Sequence, residues 1–374
     1  MARVLIACAL LSLAQPASRY QFDAVGRPAR VDQSWELNSD GEAISVLPAL
    51  ARCGNTILLG DDQFTIYRAD ATRPTQTLGR FAGEAQGVGR VVALAADCTR
   101  QRVYALNYGR RTVTAHDLAT GALIATSRPL PRNVYEPKTL LIAPRGEFVI
   151  GGLWSQDDTR PIPQRTETAF WEQTSIGLRL SFDSDALVPG LTPYERRCIA
   201  AGACLTSDLD AIGDGASRGW IASTGTSTKV ALYDASGKPT GSIDVRSPKF
   251  VRDGTEVAMA IKGAETYERW RGRNSVIRRV FSFDRYFVVV HSKTIQGPDW
   301  VFGQQTKYDV FMNIYDGKGA PLTSDVRLPD LPIGRDATHL YAIDYGPQGR
   351  GESPDRVRLV RIPVAAGAAI VRPQ

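Results

Sequence analysis

Most of the marks of common enzyme chemistry are missing from this chain. Of its 374 residues, three are His, three are Met and five are Cys. Three scattered His give nucleophilic catalysis little support, and no prolyl-oligopeptidase-like hydrolase domain is expected. No glycine-rich phosphate loop occurs either, and no Cys-x-x-Cys pair with a nearby His suggests a zinc site. Lys and Arg outnumber Asp and Glu by a formal charge of +6, but the basic residues are mostly isolated Arg. Nucleic-acid binding is therefore not expected, because it needs clustered phosphate contacts. No apolar run reaches the length of a membrane-spanning helix. Long amphipathic stretches at helical period are also scarce.

The beginning of the chain, "MARVLIACALLSLAQPASRY", pairs one Arg with an apolar run from Val4 to Leu13 and small residues at Ser12, Ala14 and Ala17. This is the pattern of a secretory signal peptide, expected over 1–17. The chain is then expected in the periplasm or outside the cell. Removing that segment leaves Cys53, Cys98, Cys198 and Cys204. An even number in an exported protein favours disulfides. The expected pairs are Cys53–Cys98, in matching places of successive repeats, and Cys198–Cys204, around a local loop.

What the sequence does have is repetition. "HDLATGALIAT" at His116, "YDASGKPTGSIDV" at Tyr233 and "YDGKGAPLTSDV" at Tyr315 restate one phrase, and "FDAVGRPARV" at Phe22 is a fourth copy. In each, an aromatic or His residue is followed by Asp and, a few residues on, by Gly. The aromatic ends a strand, Asp accepts from backbone N–H groups of the turn, and Gly supplies a positive φ. Around these turns the order of signals is constant. In "VVALAADCTRQRVYALNYGRRTVTAHDLATGALIATSRPLP", four short strands fit into some forty residues. Six such units of roughly 59 residues each predict an all-β, six-bladed β-propeller over 18–374, with seven blades the next choice. The N-terminal copy has no strands before it and is expected to supply an outer strand that closes the last blade.

With these repeats the chain resembles the six-bladed propellers of the NHL-repeat and TolB-like group. That resemblance implies a closed ring of four-stranded antiparallel blades, and fold alone carries no activity across. The six-bladed lactonases hold a channel calcium partly through a Glu-Gly-Pro stretch, which this sequence lacks.

The insertions point to a working face. Long segments at 155–175, 186–207, 246–273 and 292–307 all join strands two and three of a blade, or one blade to the next. In a propeller these connections share one face, and long loops on a rigid scaffold are where binding usually resides. Candidate ligand-binding residues there are Trp154, Asp157, Asp158, Arg160, Arg165, Trp171, Tyr267, Arg269, Trp270, His291 and Trp300. Aromatic platforms beside Arg suit a protein, peptide or glycan of the envelope. "TPYERRCIAAGAC" carries a capping box from Thr192 to Glu195, and "AETYERWR" is a second short helix candidate. Asp208, Asp210 and Asp214 lack the remaining ligands of a calcium loop and read as turn residues. The resulting expectation is an exported, monomeric binding or scaffold module without a cofactor. The competing class is a calcium-dependent lactonase or esterase with its metal in the central channel.

Overall fold

The computed structural model describes residues 27–39, 44–131, 134–143, 147–154, 174–182, 188–191, 207–213, 218–225, 227–252, 264–296, 301, 307–345 and 356–364. They form six four-stranded antiparallel blades in a ring. From the axis outwards, blade 1 is Ala49–Cys53, Thr56–Gly60, Ile66–Asp70 and Gly79–Ala82. Blade 2 is Val91–Asp97, Arg102–Asn107, Thr112–Asp117 and Leu123–Thr126. Blade 3 is Val134–Ile142, Phe148–Trp154, Ser175–Leu180 and Val188–Leu191. Blade 4 is Asp208–Ala211, Trp220–Ser223, Lys229–Tyr233 and Pro239–Asp244. Blade 5 is Ser275–Ser282, Tyr286–Ile295, Lys307–Asp316 and Pro321–Leu328. Blade 6 takes Pro332–Arg335, His339–Asp344 and Arg356–Pro363 from the end of the chain and its fourth strand, Gln33–Asn38, from the beginning.

Strand residues point alternately to the two faces of a blade, and both faces are covered by neighbours. The middle strands therefore read as unbroken apolar runs, as in "YFVVV". Val288 of blade 5 packs towards Leu340 of blade 6, while Val289 packs towards Ile221 of blade 4. Leu58 likewise meets Val103 of blade 2, and its neighbours Ile57 and Leu59 meet Tyr341 of blade 6. Six such clusters, one at each junction, make a core that is itself a ring.

The repeated Asp…Gly phrase closes the hairpin between the third and fourth strands. Asp117 Oδ1 accepts from the N–H groups of Ala119 and Thr120 at 3.1 and 2.8 Å, and Asp234 Oδ1 from those of Ser236 and Lys238 at 2.9 and 3.0 Å. Asp316 Oδ1 does the same with Lys318 and Ala320 at 2.9 and 2.8 Å. Gly121, Gly237 and Gly319 have φ of 74°, 84° and 84°, a region where a side chain is strained. His116, Tyr233 and Tyr315, which begin the phrase, are buried.

Closure of the ring is reinforced on both sides of the seam. Gln33–Asn38 pairs antiparallel with Arg356–Pro363, and Thr75–Thr77 adds a parallel fifth strand outside it. Arg27–Pro28 lies parallel to the outer strand of blade 5. The strand that closes the ring is "QSWELN"; the Phe22–Gly26 copy lies outside the described residues. Asp32 accepts two hydrogen bonds from Arg361 at 3.1 and 2.9 Å and contacts His339 Nε2 at 2.9 Å. The far side of His339 faces Asp336, which also accepts from the Tyr341 hydroxyl at 2.6 Å. Burial of the ring, and after it that acceptor, push the Tyr341 hydroxyl up to about 12.

Cys53 and Cys98 form a disulfide between the first turns of blades 1 and 2, across 45 residues of sequence. Cys198 and Cys204 lie outside the described residues. Opening a loop of that length in the unfolded chain is worth about 4 kcal/mol by chain entropy. The Cys53→Ser/Cys98→Ser double variant is expected to lose about 2–4 kcal/mol in urea unfolding. An unchanged midpoint and slope would mean that the blade junction alone holds these turns together.

Candidate functional site

Strand order sorts the connections by face. The long ones, 155–174, 192–207, 245–274, 296–306 and 345–355, join a second strand to a third or one blade to the next, and so leave the ring on one side. The opposite side carries the short Asp…Gly turns. On the long-loop side, Val251, Ile295 and Val301 are exposed, Val301 by 60%. Val251 lies in the connection into blade 5, Ile295 ends the second strand of that blade, and Val301 lies between its second and third strands.

One α-helix, Ala264–Arg273, lies on this side next to the first two strands of blade 5. It extends two residues beyond the "AETYERWR" expected from sequence. Its Trp270 is buried, with the Arg252 guanidinium 5.4 Å from the ring. Arg252 also lies 5.1 Å from the Phe250 ring and donates to the Ser227 carbonyl at 3.1 Å. Glu268 holds Arg271 at 2.7 Å, and its backbone carbonyl accepts from Gln296 Nε2 at 2.8 Å. The helix is thus pinned over the junction of blades 4 and 5 by its own aromatic residue.

Trp154 ends the second strand of blade 3 and is buried among Leu130, Val134 and Leu180. His291 is fully buried between Phe250 and Phe311, at centroid distances of 5.2 and 5.5 Å. Trp154, Trp270 and His291 therefore anchor the face from beneath, whereas the sequence suggested platforms displayed to a ligand. Apolar rings at strand ends seal the core where it would otherwise meet water. Arg269 is exposed and paired with Glu265 at 2.8 Å. Tyr267 sits on the helix, with its side chain outside the description. Asp157, Asp158, Arg160, Arg165, Trp171 and Trp300 lie outside the described residues.

The axis of the ring holds a second group of functional side chains. Asp208 and Asp210 stand in the innermost strand of blade 4, which corrects the reading of them as turn residues; Asp214 lies outside the description. Two apart on a strand, both carboxylates point to the same side, into the central channel. Asp208 accepts from the Thr139 hydroxyl and from the Val280 N–H at 2.9 Å, and Arg279 Nε stands 3.8 Å away. Asp210 accepts from the Ser282 N–H at 2.8 Å and from Arg335 through Nε and Nη2 at 2.7 and 3.1 Å. Arg279 Nη1 in turn donates to the Lys138 carbonyl at 2.8 Å. These bonds tie blades 3, 4, 5 and 6 together at the axis. They surround a cavity of about 200 Å³ that every blade helps to line.

The channel does not fit a calcium ion. Calcium takes six to eight oxygen ligands. The two carboxylates of the channel come from one blade and are committed to Arg and backbone donors, with three cationic side chains facing them. Among the described residues, no group of three His, Cys, Asp or Glu is placed to hold a metal.

The same ring of six blades has been seen before. A member of the DUF4221 family from Bacteroides vulgatus superposes with a TM-score of 0.62 at 8% identity, over 90% of this chain and 98% of its own. A Bacteroides fragilis protein named as exported gives 0.53 at 12% identity, over 91% and 98%. The fold is shared. At these identities the likeness reaches no further than architecture. No protein-family model matches the chain, and no curated protein matches its sequence.

Sequence reasoning passed over Lys138, Thr139, Arg279 and Arg335. The Asp-Leu-Asp spacing at 208–210 was the available signal for the channel. A charged residue at every second position of an otherwise apolar strand marks a polar axis.

Proposed function

We propose that this protein is an exported propeller that binds an envelope or extracellular protein, peptide or glycan through its long-loop face. One observation carries the reading: every long connection of the described strand order belongs to the same side of the ring. A rigid ring with loops gathered on one side is a recognition scaffold, in which the blades fix loop positions and the loops vary. Val251, Ile295 and Val301 add exposed apolar area around blade 5 on that side. Export is supported by the signal-like start of the sequence, by the Cys53–Cys98 disulfide and by the name of the Bacteroides fragilis neighbour, "Putative exported protein". No helix among the described residues is long and apolar enough to cross a membrane. The hydrolase alternative needs free channel oxygens, and those of Asp208 and Asp210 are already engaged.

The test compares two faces. Ile295→Glu/Val301→Glu places charge on the long-loop side, and Leu123→Glu/Ile124→Glu places it on the exposed outer strand of blade 2. On peptide and glycan arrays, the first variant is expected to lose at least about tenfold in retention, as burying an unpaired charge at a contact does, and the second to keep it. Loss in the outer-strand variant alone would move the binding surface to the rim.

A further inference from the structure

Two guanidinium groups in the channel have donors to spare. Arg335 gives Nε and Nη2 to Asp210, and Arg279 gives Nη1 to the Lys138 carbonyl. Among the described residues, Arg335 Nη1 and Arg279 Nη2 donate to no protein acceptor. Asp208 and Asp210, about 7 Å apart along one strand, each stand beside one of the two Arg side chains, at 3.8 and 2.7 Å. Both Arg side chains are well shielded, with 13% and 27% of Arg279 and Arg335 exposed. Of these guanidinium nitrogens only Arg279 Nε is fully buried without a hydrogen-bond partner; the two open Nη donors can reach water, and an anion would replace that water with charge-assisted bonds.

The shape of the cavity agrees. Lys138, Arg279 and Arg335 line it together with Asp208 and Asp210. The rest of the wall is apolar, with Leu50, Leu94, Phe281 and Ile333 among its lining residues. An apolar cavity of about 150 Å³ suffices for benzene, so about 200 Å³ leaves room for a carboxylate as well. The guanidinium groups are also braced by aromatic rings: Arg279 lies 5.4 Å from the centroid of Phe281, and Arg335 lies 5.5 Å from that of Phe283. Pre-set donors lower the ordering cost of binding.

We propose that the central channel is a binding site for a small monocarboxylate with an apolar body, its carboxylate on the open donors of Arg279 and Arg335 and its body against Leu50, Leu94 and Ile333. This site is separate from the long-loop face. A ligand on the axis touches all six blades and would report ring closure to the loops above it.

Benzoate is the probe, titrated by calorimetry into the full chain with its disulfide intact. Benzamide serves as the neutral isostere and inorganic phosphate as the anion without a body. Benzoate is expected to bind, with benzamide and phosphate each weaker by at least about tenfold, the worth of one charge-assisted contact. Arg335→Gln should weaken benzoate by a similar factor, and Arg269→Gln, on the exposed helix, should leave it unchanged. Ala93→Leu narrows the cavity without touching a charge and should also weaken benzoate, which guards against an Arg335 variant that folds poorly. Equal binding of benzoate and benzamide, phosphate as tight as benzoate, or no benzoate binding would each overturn the proposal. Benzoate retained by a folded Arg335→Gln protein would do the same. None of these results bears on the long-loop face, whose test uses arrays and different residues.

Discussion

Trp35→Ala is expected to destabilise the propeller by about 3–5 kcal/mol, the usual cost of removing a fully buried Trp. Trp35 is 1% exposed and sits on the closing strand, between blade 6 and blade 1. Its ring stacks near Tyr341 at 6.3 Å, and its indole N–H donates to the Ala71 carbonyl at 2.8 Å. The substitution leaves a cavity and removes the shorter of two hydrogen bonds to that carbonyl, the other coming from Gln33 Nε2 at 3.4 Å. Its effect should exceed that of a comparable change within one blade, because the strand joins the two ends of the chain. An open ring exposes two blade faces that were meant to be covered. Urea unfolding followed by tryptophan fluorescence measures the loss. A change below 1 kcal/mol would show that the parallel strands Arg27–Pro28 and Thr75–Thr77 hold the ring shut without the Trp35 anchor.

Acid should weaken the fold well before its carboxylates titrate. Burial between Phe250 and Phe311, with a further push from the Arg252 charge, drives the His291 pKa down from 6.5 to about 3. Asp325, 3.9 Å away, pulls towards protonation and is outweighed. Between those two values the unfolded chain binds one proton more than the folded chain does. Stability is therefore full above about pH 6.5 and falls as the pH drops towards 3, at about 1.4 kcal/mol per pH unit. His116, also buried, shifts in the same direction. Asp32 acts lower down: its hydrogen bond from Arg361 holds its carboxyl below 3.8, so its contribution is lost only under stronger acid. Burial raises the Asp61 carboxyl, which opposes this trend at the acid end, so the imidazole is isolated by comparing the wild type with a His291 variant from pH 7 to pH 4.5. His291→Leu should flatten that slope by about 1.4 kcal/mol per unit. An unchanged slope in the variant would mean that His291 can take up a proton in the folded ring.

The repeat was readable because its signals are local. Asp117, Asp234 and Asp316 act within four residues of themselves, and the Gly that follows each needs only a backbone angle. The unbroken apolar runs "FVVV" and "TILLG" likewise need no knowledge of partners. The same locality misled the reading of Asp208 and Asp210, since "SDLDAIGDG" resembles a turn when its partners are out of view. It also misled the reading of Trp154 and Trp270: a Trp near a loop looks available until the core beneath it is known.

Composition, turn chemistry and period by themselves determined an all-β ring of six blades with its long loops on one side and a Cys53–Cys98 bridge. Only the tertiary structure decided which strand closes the ring and which side chains meet on the axis. The physical reason is distance along the chain. Arg335 finds Asp210 across 125 residues, and Trp35 finds Tyr341 from opposite ends of the sequence. No local pattern encodes such meetings; they exist because a twisted stack of blades must cover its last open face with its first strand.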